Sequence, residues 1–454
     1  MSPLRAIASF CTAVVIGLVA VTPAARADSP AGPTVVPSPD AAAAPSSAAE
    51  RVYAAARPRL LQIRTLVAAA GRQSLIGSGF LVSADGLAIT NYHVVAQVAL
   101  EPALYRLEYT AADGSTGKLA LLAIDLANDL AVVRLDRTGA PFFAFDTRTL
   151  PDGVPKGERL YSMGNPLNLG FTIVEGTHNG LVERSYTERL HFSGAINPGM
   201  SGGPTVTADG RVVGVNVAKQ LGSDLVSFLV PGGFAASLLA RARAESTPPT
   251  NFRAEVGTQL AAWQATLYRR LADAGFRETP FGPYQAPESA APWFTCWSQT
   301  NSDQIPKPRA TINATTCNSE TRLFVANDLA TGLISFTHSY IRSVDLNAFQ
   351  FASFLSQQNQ LSWIGGWSRK WNTPRRCHED FVDASQSTHH PALRVGWCAR
   401  AYREFDDLYD IWVMAVTQDS ASHVLVSRLN FQAVGYDAGI ALTQKLLEAV
   451  QWAK

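Results

Sequence analysis

The sequence predicts an all-β sandwich or barrel in its first half and an α+β region after it. Short apolar runs interrupted by Gly, Asp and Pro recur from residue 59 to residue 230, as in chains built from many short strands. Beyond residue 250, strand-like runs alternate with stretches that have apolar residues at helical spacing. The 33 glycines and 26 prolines also favour a turn-rich, largely β chain.

The charge balance argues against two classes of protein. The 38 Lys and Arg residues against 37 Asp and Glu residues leave a net charge of +1 over 454 residues. Such a chain lacks the excess of positive charge that holds nucleic acid by its phosphates. With 47% hydrophobic and 17% charged residues, it also differs from disordered chains. Its length corresponds to about three domains of ~150 residues each.

The N-terminus has the pattern of a secretory signal peptide. Arg5 precedes a short apolar run over residues 7–21, and Ala25-Arg26-Ala27 precedes Asp28. The alternative, a membrane anchor, is disfavoured because the run is shorter than the roughly 20 residues that span a bilayer. We expect cleavage after Ala27 and export. In the next segment, residues 28–48, 15 of the 21 residues are Pro, Ala or Ser, which predicts a flexible tether.

The strand-like runs of the first half span 59–67, 77–83, 87–91, 118–124, 130–135, 159–163, 211–217 and 225–230. Three motifs lie among them: G-S-G-F…T-N-Y-H-V-V with His93, N-D-L-A-V-V with Asp129, and A-I-N-P-G-M-S-G-G-P with Ser201. A serine hydroxyl is a weak nucleophile unless a neighbouring imidazole takes its proton. The imidazole needs a carboxylate that holds its tautomer and stabilises the cation formed during attack. The three motifs contain one residue for each role.

The three motifs resemble the trypsin-fold serine proteases, and among them the bacterial HtrA/Deg-type branch. A fourth block, M-G-N-P at 163–166, is similar to the I-G-N-P of that branch, and the resemblance covers residues 55–235. It implies a double β-barrel, with Ser201 as nucleophile, His93 as general base and acid, and Asp129 as the orienting carboxylate. The N–H groups of Gly199 and Ser201 are the implied oxyanion hole. Asp125, four residues before Asp129, is the rival carboxylate, for which a role in a turn is favoured.

The family's loop layout also implies a substrate pocket. Ala195 is expected at its base, and the strand that contains Val217 and Lys219 forms one wall. An uncharged base offers no partner to a buried Arg or Lys, so small or medium aliphatic side chains are expected before the cut. At position 200 relatives usually have Asn or Asp, whereas this chain has Met. Met200 cannot pair with a freed N-terminus, so no activation of that kind is expected.

The C-terminal half contains all the cysteines that remain after signal cleavage: Cys296, Cys317, Cys377 and Cys398. An even number in an exported chain favours disulfides. The equal spacing of 21 residues favours Cys296–Cys317 and Cys377–Cys398 among the three possible pairings. A zinc site is the less favoured alternative, because no C-x-x-C pair is present. The histidines at 378, 389 and 390 suggest a metal only weakly.

The residues beyond 250 resemble no family known to us. Helices are predicted over residues 256–276, 346–357 and 438–452, and the cysteine spacing suggests two repeats, 290–360 and 370–454. All nine tryptophans lie in this half, either as core residues, which we favour, or as a docking surface. The predicted organisation is a signal at 1–27, a tether at 28–48, a trypsin-like domain at 49–243, a linker at 244–251, and an α+β domain at 252–454.

The predicted function is that of an exported, periplasmic or secreted, serine endopeptidase acting on polypeptides without metal or cofactor. No nucleic-acid partner is expected, nor a membrane span once the signal is removed. G-M-S-G-G also matches the G-x-S-x-G of α/β-hydrolases, but Pro204 and a strand pattern follow instead of a helix. The other alternative is a catalytically idle protease fold that binds peptides or proteins.

Overall fold

The structure is a computed structural model that describes residues 46–148, 153–219, 226–245, 247–358, 368–387 and 389–453. The predicted signal peptide, and the predicted tether up to residue 45, lie outside the described residues. Within the described residues, no helix combines the length and the apolar character needed to cross a membrane.

The first half forms two closed, six-stranded antiparallel barrels, which confirm the predicted double barrel. In the first, the strand order is β1-β2-β3-β6-β5-β4. Its elements are α1 (Ser47–Ala56), β1 (Leu60–Val67), β2 (Arg72–Leu81), β3 (Leu87–Thr90), α2 (Tyr92–Leu100), β4 (Tyr105–Ala111), β5 (Thr116–Asp125) and β6 (Leu130–Leu135).

The second barrel repeats this design with the order β10-β11-β12-β9-β8-β7. Its elements are β7 (Arg159–Gly164), β8 (Thr172–Leu181), β9 (Leu190–Phe192), β10 (Pro204–Val206), β11 (Val212–Lys219), β12 (Ser227–Pro231) and α3 (Gly232–Ala244). One apolar cluster joins the barrels, with Phe80 and Val132 from the first and Met163 and Val215 from the second. The two barrels therefore meet along a buried seam.

Helix α4 (Phe252–Ala274) follows and covers most of the predicted 256–276 helix. The Asn251 side chain accepts a hydrogen bond from the Ala254 N–H at 3.1 Å, which caps the helix start. The strands after it are β13 (Phe276–Phe281), β14 (Tyr284–Ser289), β15 (Thr295–Thr300), β16 (Ala310–Asn318), β17 (Leu323–Ala326), β18 (Leu329–Thr331) and β19 (Ile334–Ser343).

The last elements are α5 (Ala348–Gln358), β20 (Arg376–Val382), β21 (Leu393–Ala401), β22 (Tyr409–Thr417), β23 (His423–Val434), α6 (Tyr436–Glu448) and β24 (Gln451–Trp452). The predicted closing helix 438–452 is therefore too long at its C-terminal end. The chain turns after Glu448 and pairs Trp452 with Tyr284 of β14. The Trp452 indole N–H donates to Asp419 at 2.6 Å, a tertiary contact that residue periodicity does not encode.

A seven-stranded sheet of order β15-β16-β19-β23-β22-β21-β20 dominates this half. Each edge of the sheet is a hairpin that carries one disulfide. Cys296 and Cys317 lie directly opposite each other on β15 and β16, with an S–S distance of 2.09 Å. Cys377 and Cys398 are paired in the same way on β20 and β21, at 2.05 Å. The duplication of this region stays a prediction.

The described tryptophans occupy different environments. Trp371 and Trp412 are fully buried, as core residues would be, whereas Trp297 is 72% exposed on the edge strand β15. Trp363 and Trp367 lie outside the described residues.

The C-terminal half packs against the first barrel through a continuous apolar core. Tyr92 and Val95 of α2 share one cluster with Leu260 of α4, Val325 of β17 and Phe405. The helix that begins at Tyr92 is therefore buried between the first barrel and the later part of the chain.

Candidate active site

His93 lies in the first turn of α2, directly after β3 ends. Asn91 has extended backbone angles (φ −82°, ψ 149°), so the chain turns from strand to helix at this residue. The turn presents the His93 imidazole at the edge of the first barrel. Its Nδ1 lies 2.7 Å from the Asp129 carboxylate.

Asp129 ends the β5–β6 connection in a left-handed backbone conformation with φ 60°. Its carbonyl accepts hydrogen bonds from the Tyr92 N–H at 3.1 Å and the Asn91 side-chain amide at 2.7 Å. Its Oδ1 accepts the His93 N–H at 2.8 Å, while Oδ2 faces the imidazole. Three consecutive residues of the β3–α2 junction thus hold Asp129. Asp and Asn tolerate this conformation better than other non-glycine residues.

Asp125 has a different environment. Its carboxylate accepts hydrogen bonds from the backbone N–H of Asn128 at 3.1 Å and from the Asn128 side chain at 2.9 Å. This pattern closes the turn that connects β5 and β6. Of the two candidate acids, Asp129 is the one whose carboxylate contacts His93.

Ser201 lies on the loop between β9 and β10, and this loop packs against β2 and the end of β3. The Ser201 carbonyl accepts the Ser78 N–H at 2.8 Å. Gly202 has φ 85°, and a Cβ there would lie 2.3 Å from the Ser78 carbonyl oxygen. Only glycine permits so close an approach. A Cβ at Gly77 would lie 2.5 Å from Val94 and 3.2 Å from the Ser201 carbonyl oxygen, so Ser201 lies beside the start of α2.

The hydroxyl of Ser201 donates to the Val217 carbonyl at 3.4 Å. Among the hydrogen bonds of the described residues, none joins this hydroxyl to His93. The structure thus brings His93 and Asp129 into direct contact and places Ser201 beside them with its hydroxyl turned toward β11. In unliganded sites such bonds are often long and tighten only around a substrate.

The loop before Ser201 leaves two N–H groups available. Met200 N–H donates to the Asn197 carbonyl and Gly203 N–H to the Met200 carbonyl, each at 3.0 Å. Within the described part of the chain, the N–H groups of Gly199 and Ser201 have no hydrogen-bond acceptor. Gly199 has φ 95°, and a Cβ there would lie 2.5 Å from the Asn165 carbonyl oxygen. The arrangement suits a group that must accept two backbone hydrogen bonds.

Sequence reasoning assigned no role to Ser78, although it lies in the G-S-G-F motif. Its buried hydroxyl donates to the Gly199 carbonyl at 2.7 Å and accepts the Asn165 N–H at 2.9 Å. It therefore joins the loop of Ser201 to the end of β7. A polar residue in the buried part of an apolar strand was the available signal, because buried hydroxyls are almost always hydrogen-bonded.

Residues 77–215 match the family model described as "Trypsin-like peptidase domain". This part of the chain is a trypsin-like peptidase domain. A "Probable periplasmic serine endoprotease DegP-like" from Chlamydia muridarum is 33% identical over 157 residues, which cover 34% of this chain and 30% of that protein. "Serine protease PepD" from Mycobacterium tuberculosis is 32% identical over 219 residues, 44% of this chain and 46% of that protein.

Among solved structures, a serine endoprotease from Yersinia pestis is 23% identical, with a TM-score of 0.39, over 45% of this chain and 69% of that chain. The chain spans about a third of the length of the first curated relatives that it matches, 30% in the case of the Chlamydia muridarum protein. The matched segments of the curated relatives cover 34–44% of the chain.

Met200 is a core residue. Its side chain is fully buried with Leu160, Leu190, Ile196 and Leu229 inside the second barrel. Its carbonyl accepts the Asn216 side-chain amide at 3.2 Å. The thioether therefore fills apolar space, while the backbone of the residue provides the loop's hydrogen bonds.

The charge of Asp129 sets the pKa of His93 in the candidate active site. Burial lowers the pKa of His93, but the charge of Asp129 and its hydrogen bond outweigh burial, so the pKa lies above the usual 6.5. Arg189, just before β9, is also close enough to be attracted by Asp129 and Asp125, although burial lowers its pKa. The contact between His93 and Asp129 therefore favours the protonated form of the imidazole.

Of the predicted pocket residues, Val217 contacts Ser201 through its carbonyl oxygen. Ala195 is exposed on the segment that leads to the serine, and Val217 is half-buried in β11. The side chain of Lys219 lies outside the described part of the structure.

Two of the alternative metal sites have their ligand atoms engaged in other bonds. Glu288 lies close to Cys296 and Cys317, but the two sulfurs are bonded to each other and are not thiolates. Both ring nitrogens of His390 contact backbone carbonyl oxygens, of Pro391 at 2.7 Å and Leu447 at 3.0 Å. His378 is exposed and lies 3.9 Å from Asp380.

Proposed function

We propose that the protein is a serine endopeptidase that hydrolyses polypeptides through an acyl-enzyme on Ser201. The observation that carries this proposal is the 2.7 Å contact between His93 and Asp129 beside the loop of Ser201. Relatives of the trypsin-like domain are described as serine endoproteases, which supports the same reaction class. No cofactor enters the proposal.

In the proposed reaction, Ser201 Oγ attacks the carbonyl carbon of the scissile bond while His93 Nε2 takes the hydroxyl proton. The His93 Nδ1–H donates to Asp129, whose negative charge stabilises the imidazolium. The oxyanion that forms accepts hydrogen bonds from the N–H groups of Gly199 and Ser201. His93 then gives its proton to the leaving amine as the C–N bond breaks. Water activated by the same imidazole hydrolyses the ester and restores Ser201.

One conformational step precedes attack. The Ser201 hydroxyl faces the Val217 carbonyl at 3.4 Å and has to rotate about its Cα–Cβ bond toward His93. This distance is longer than the roughly 2.5–3.0 Å of ordinary O–H···O hydrogen bonds, so little stabilisation is lost when the contact breaks.

The finer parts of the proposal concern specificity, organisation and location. An uncharged Ala195 at the pocket base favours small or medium aliphatic side chains before the cut, with Val217 and Lys219 on the adjacent wall. The chain would be exported by a signal at residues 1–27, carry a tether that begins at residue 28 and ends before α1 starts at Ser47, and act in the periplasm or the medium. The protease domain would span 49–243 and the C-terminal domain 252–454. The description of the Chlamydia muridarum relative as periplasmic supports export.

The second candidate function is a catalytically idle fold that binds peptides or proteins. The orientation of the Ser201 hydroxyl toward Val217 rather than His93 is the observation in its favour.

A fluorophosphonate probe tests the choice, because it labels only a serine that its histidine activates. We expect the folded full chain to be labelled at Ser201, as located by peptide mapping. Ser201→Ala should lose the label and keep the thermal transition. Folded wild-type protein that takes up no label and cuts no unfolded substrate would contradict the endopeptidase and support the idle fold.

A further inference from the structure

The β17–β18 hairpin of the C-terminal half lies against α2, the helix that carries His93. The Phe324 ring centre is 5.9 Å from that of the His93 imidazole, with the rings at 71° to each other. It is also 6.2 Å from the Tyr92 ring. Leu323 and Val325 on either side are buried, whereas Phe324 is half-buried. A partly exposed aromatic ring from outside the trypsin-like domain thus borders the candidate active site.

The position of the hairpin is held from several directions. The Tyr92 hydroxyl donates to the Val325 carbonyl at 2.8 Å in a buried contact. At the tip of the hairpin, the Trp371 indole N–H donates to Asp328 at 2.8 Å. Because these contacts fix β17 to α2, the distance between Phe324 and His93 is set before any substrate arrives. A site that is ordered in advance binds without the cost of ordering it.

The geometry of attack brings substrate close to this ring. The scissile carbonyl must come within about 3–3.5 Å of Ser201 Oγ, and His93 must be within hydrogen-bond reach of the same hydroxyl. A ring centred 5.9 Å from the imidazole is then within one side-chain length of the bound peptide. Successive side chains of an extended peptide point in opposite directions. When one side chain points toward Ala195 and Val217, the preceding one points away from them, toward His93.

Behind Phe324 a cavity continues into the C-terminal half. Its lining combines apolar Phe324, Ala326, Leu329 and Leu333 with the charged side chains of Glu320, Arg322 and Asp328. The apolar part of this lining offers an aliphatic or aromatic side chain a surface to pack against.

We propose that the β17–β18 hairpin, through Phe324, forms a substrate subsite for the side chain that precedes the residue held by the Ala195–Val217 pocket, and that this subsite selects large apolar side chains. The inference rests on the proposed endopeptidase function. It assigns a role in substrate selection to a part of the chain that lies outside the trypsin-like domain.

The test is a peptide library, cleaved by the full chain, in which the two residues before the cut vary independently. Phe324→Ala is expected to reduce kcat/KM about tenfold for peptides with Leu or Phe at the position before the last, the usual loss for an incompletely filled apolar pocket. Peptides with Gly at that position should change less than about twofold. Preference at the residue directly before the cut should stay the same. Phe349→Ala is the matched control, because Phe349 is 90% exposed on α5, and it should change neither preference.

Phe324→Leu guards against a folding defect, because it keeps an apolar side chain on Tyr92. It should lower selectivity for Phe at that position more than selectivity for Leu, with an unchanged thermal transition. Equal losses at every position, a general increase in cleavage, or an unchanged profile in folded Phe324→Ala would each overturn the subsite. Labelling of Ser201 by the fluorophosphonate probe separates the failures: a labelled, active wild type with an unchanged variant profile refutes the subsite and leaves the proposed function intact.

Discussion

Asp129 shows how single residues shape this site. Its left-handed backbone costs about 1–3 kcal/mol in a residue other than glycine. Hydrogen bonds from Asn91, Tyr92 and His93 compensate for this cost and orient one carboxylate oxygen to the His93 N–H and the other to its ring. The strained backbone therefore directs the carboxylate toward the imidazole.

The raised pKa of His93 predicts where activity is lost on acidification. In the proposed reaction the neutral imidazole of His93 is the base, so kcat/KM should fall as the pH drops below the pKa of His93 in the free enzyme. Because Asp129 raises that pKa, the acid limb should have its midpoint above the ordinary value of about 6.5. Asp129→Asn should move the midpoint to lower pH and reduce kcat by about 10⁴. A pH profile of both proteins checks this, and a wild-type midpoint below 6.5 would contradict it.

Ser78 offers a second residue-scale prediction. Ser78→Ala leaves the buried Gly199 carbonyl and Asn165 N–H without their shared hydroxyl, so the two backbone donors near Ser201 lose their fixed orientation. We expect kcat to fall ~10- to 100-fold, less than the ~10²–10³ for losing a donor outright, with KM nearly unchanged.

Ser83→Ala is the matched control for Ser78→Ala. Its buried hydroxyl accepts the Leu87 N–H at 2.9 Å at the other end of the β2–β3 hairpin. It should reduce the free energy of unfolding similarly and leave kcat intact. Equal kcat losses in the two variants would point to a general folding defect.

At the scale of elements, a buried ion pair joins two adjacent strands of the seven-stranded sheet. Arg400 of β21 contacts Asp410 of β22 at 2.7 Å, and both side chains are 5% exposed. Asp410 also accepts the Tyr402 hydroxyl at 2.7 Å and the Ala433 N–H at 3.0 Å. These contacts saturate the carboxylate, which is the condition under which a buried charge is tolerated.

Removing this carboxylate should destabilise the fold strongly. Asp410→Ala removes the carboxylate that contacts the buried Arg400 guanidinium, so the free energy of unfolding should drop by about 3–5 kcal/mol. Asp345→Ala, which breaks the exposed Arg309–Asp345 pair, should cost only ~0–1 kcal/mol. Urea unfolding of both variants measures the difference, and similar losses in the two would refute the structural role of Asp410.

At the scale of the whole molecule, the C-terminal half completes the core of the first barrel. Tyr92 and Val95 of α2 pack against Leu260, Val325 and Phe405 from beyond residue 250. Contacts also reach the second barrel, where the Tyr186 ring lies 5.4 Å from Trp263 and 5.1 Å from Trp293. The described residues from Ser46 onward consequently belong to one compact unit.

Truncation tests this dependence. A protein that ends at residue 245 uncovers the apolar face of α2, and each large apolar side chain exposed costs ~1.5–3 kcal/mol. At about 2–4 °C for each kcal/mol in a region of this size, we expect Tm to fall by roughly 10 °C or more. Differential scanning calorimetry of the truncated and full chains checks the shift. An unchanged Tm would show that the two barrels are stable without the C-terminal half.

The sequence predicted some elements and site residues correctly and missed others. A helix was predicted over residues 256–276, and α4 covers most of that range because apolar periodicity is local. The predicted C-terminal end of the closing helix was wrong because Trp452 pairs with β14 and donates a tertiary hydrogen bond to Asp419. Asp129 was separable from Asp125 by its place directly before a buried strand. Ser78 and Phe324 received no role, since each acts on a residue more than 120 positions away.

The order and spacing of the motifs around His93, Asp129 and Ser201 were enough to predict the two barrels and the reaction class. Their short-range patterns encode strand ends, turns and the glycines that allow close approach. Only the folded chain decided that Ser201 Oγ faces Val217, that Ser78 supports Gly199, and that a hairpin from beyond residue 320 borders His93. These contacts depend on how distant surfaces pack together, and packing is a property of three-dimensional shape that local residue patterns do not contain.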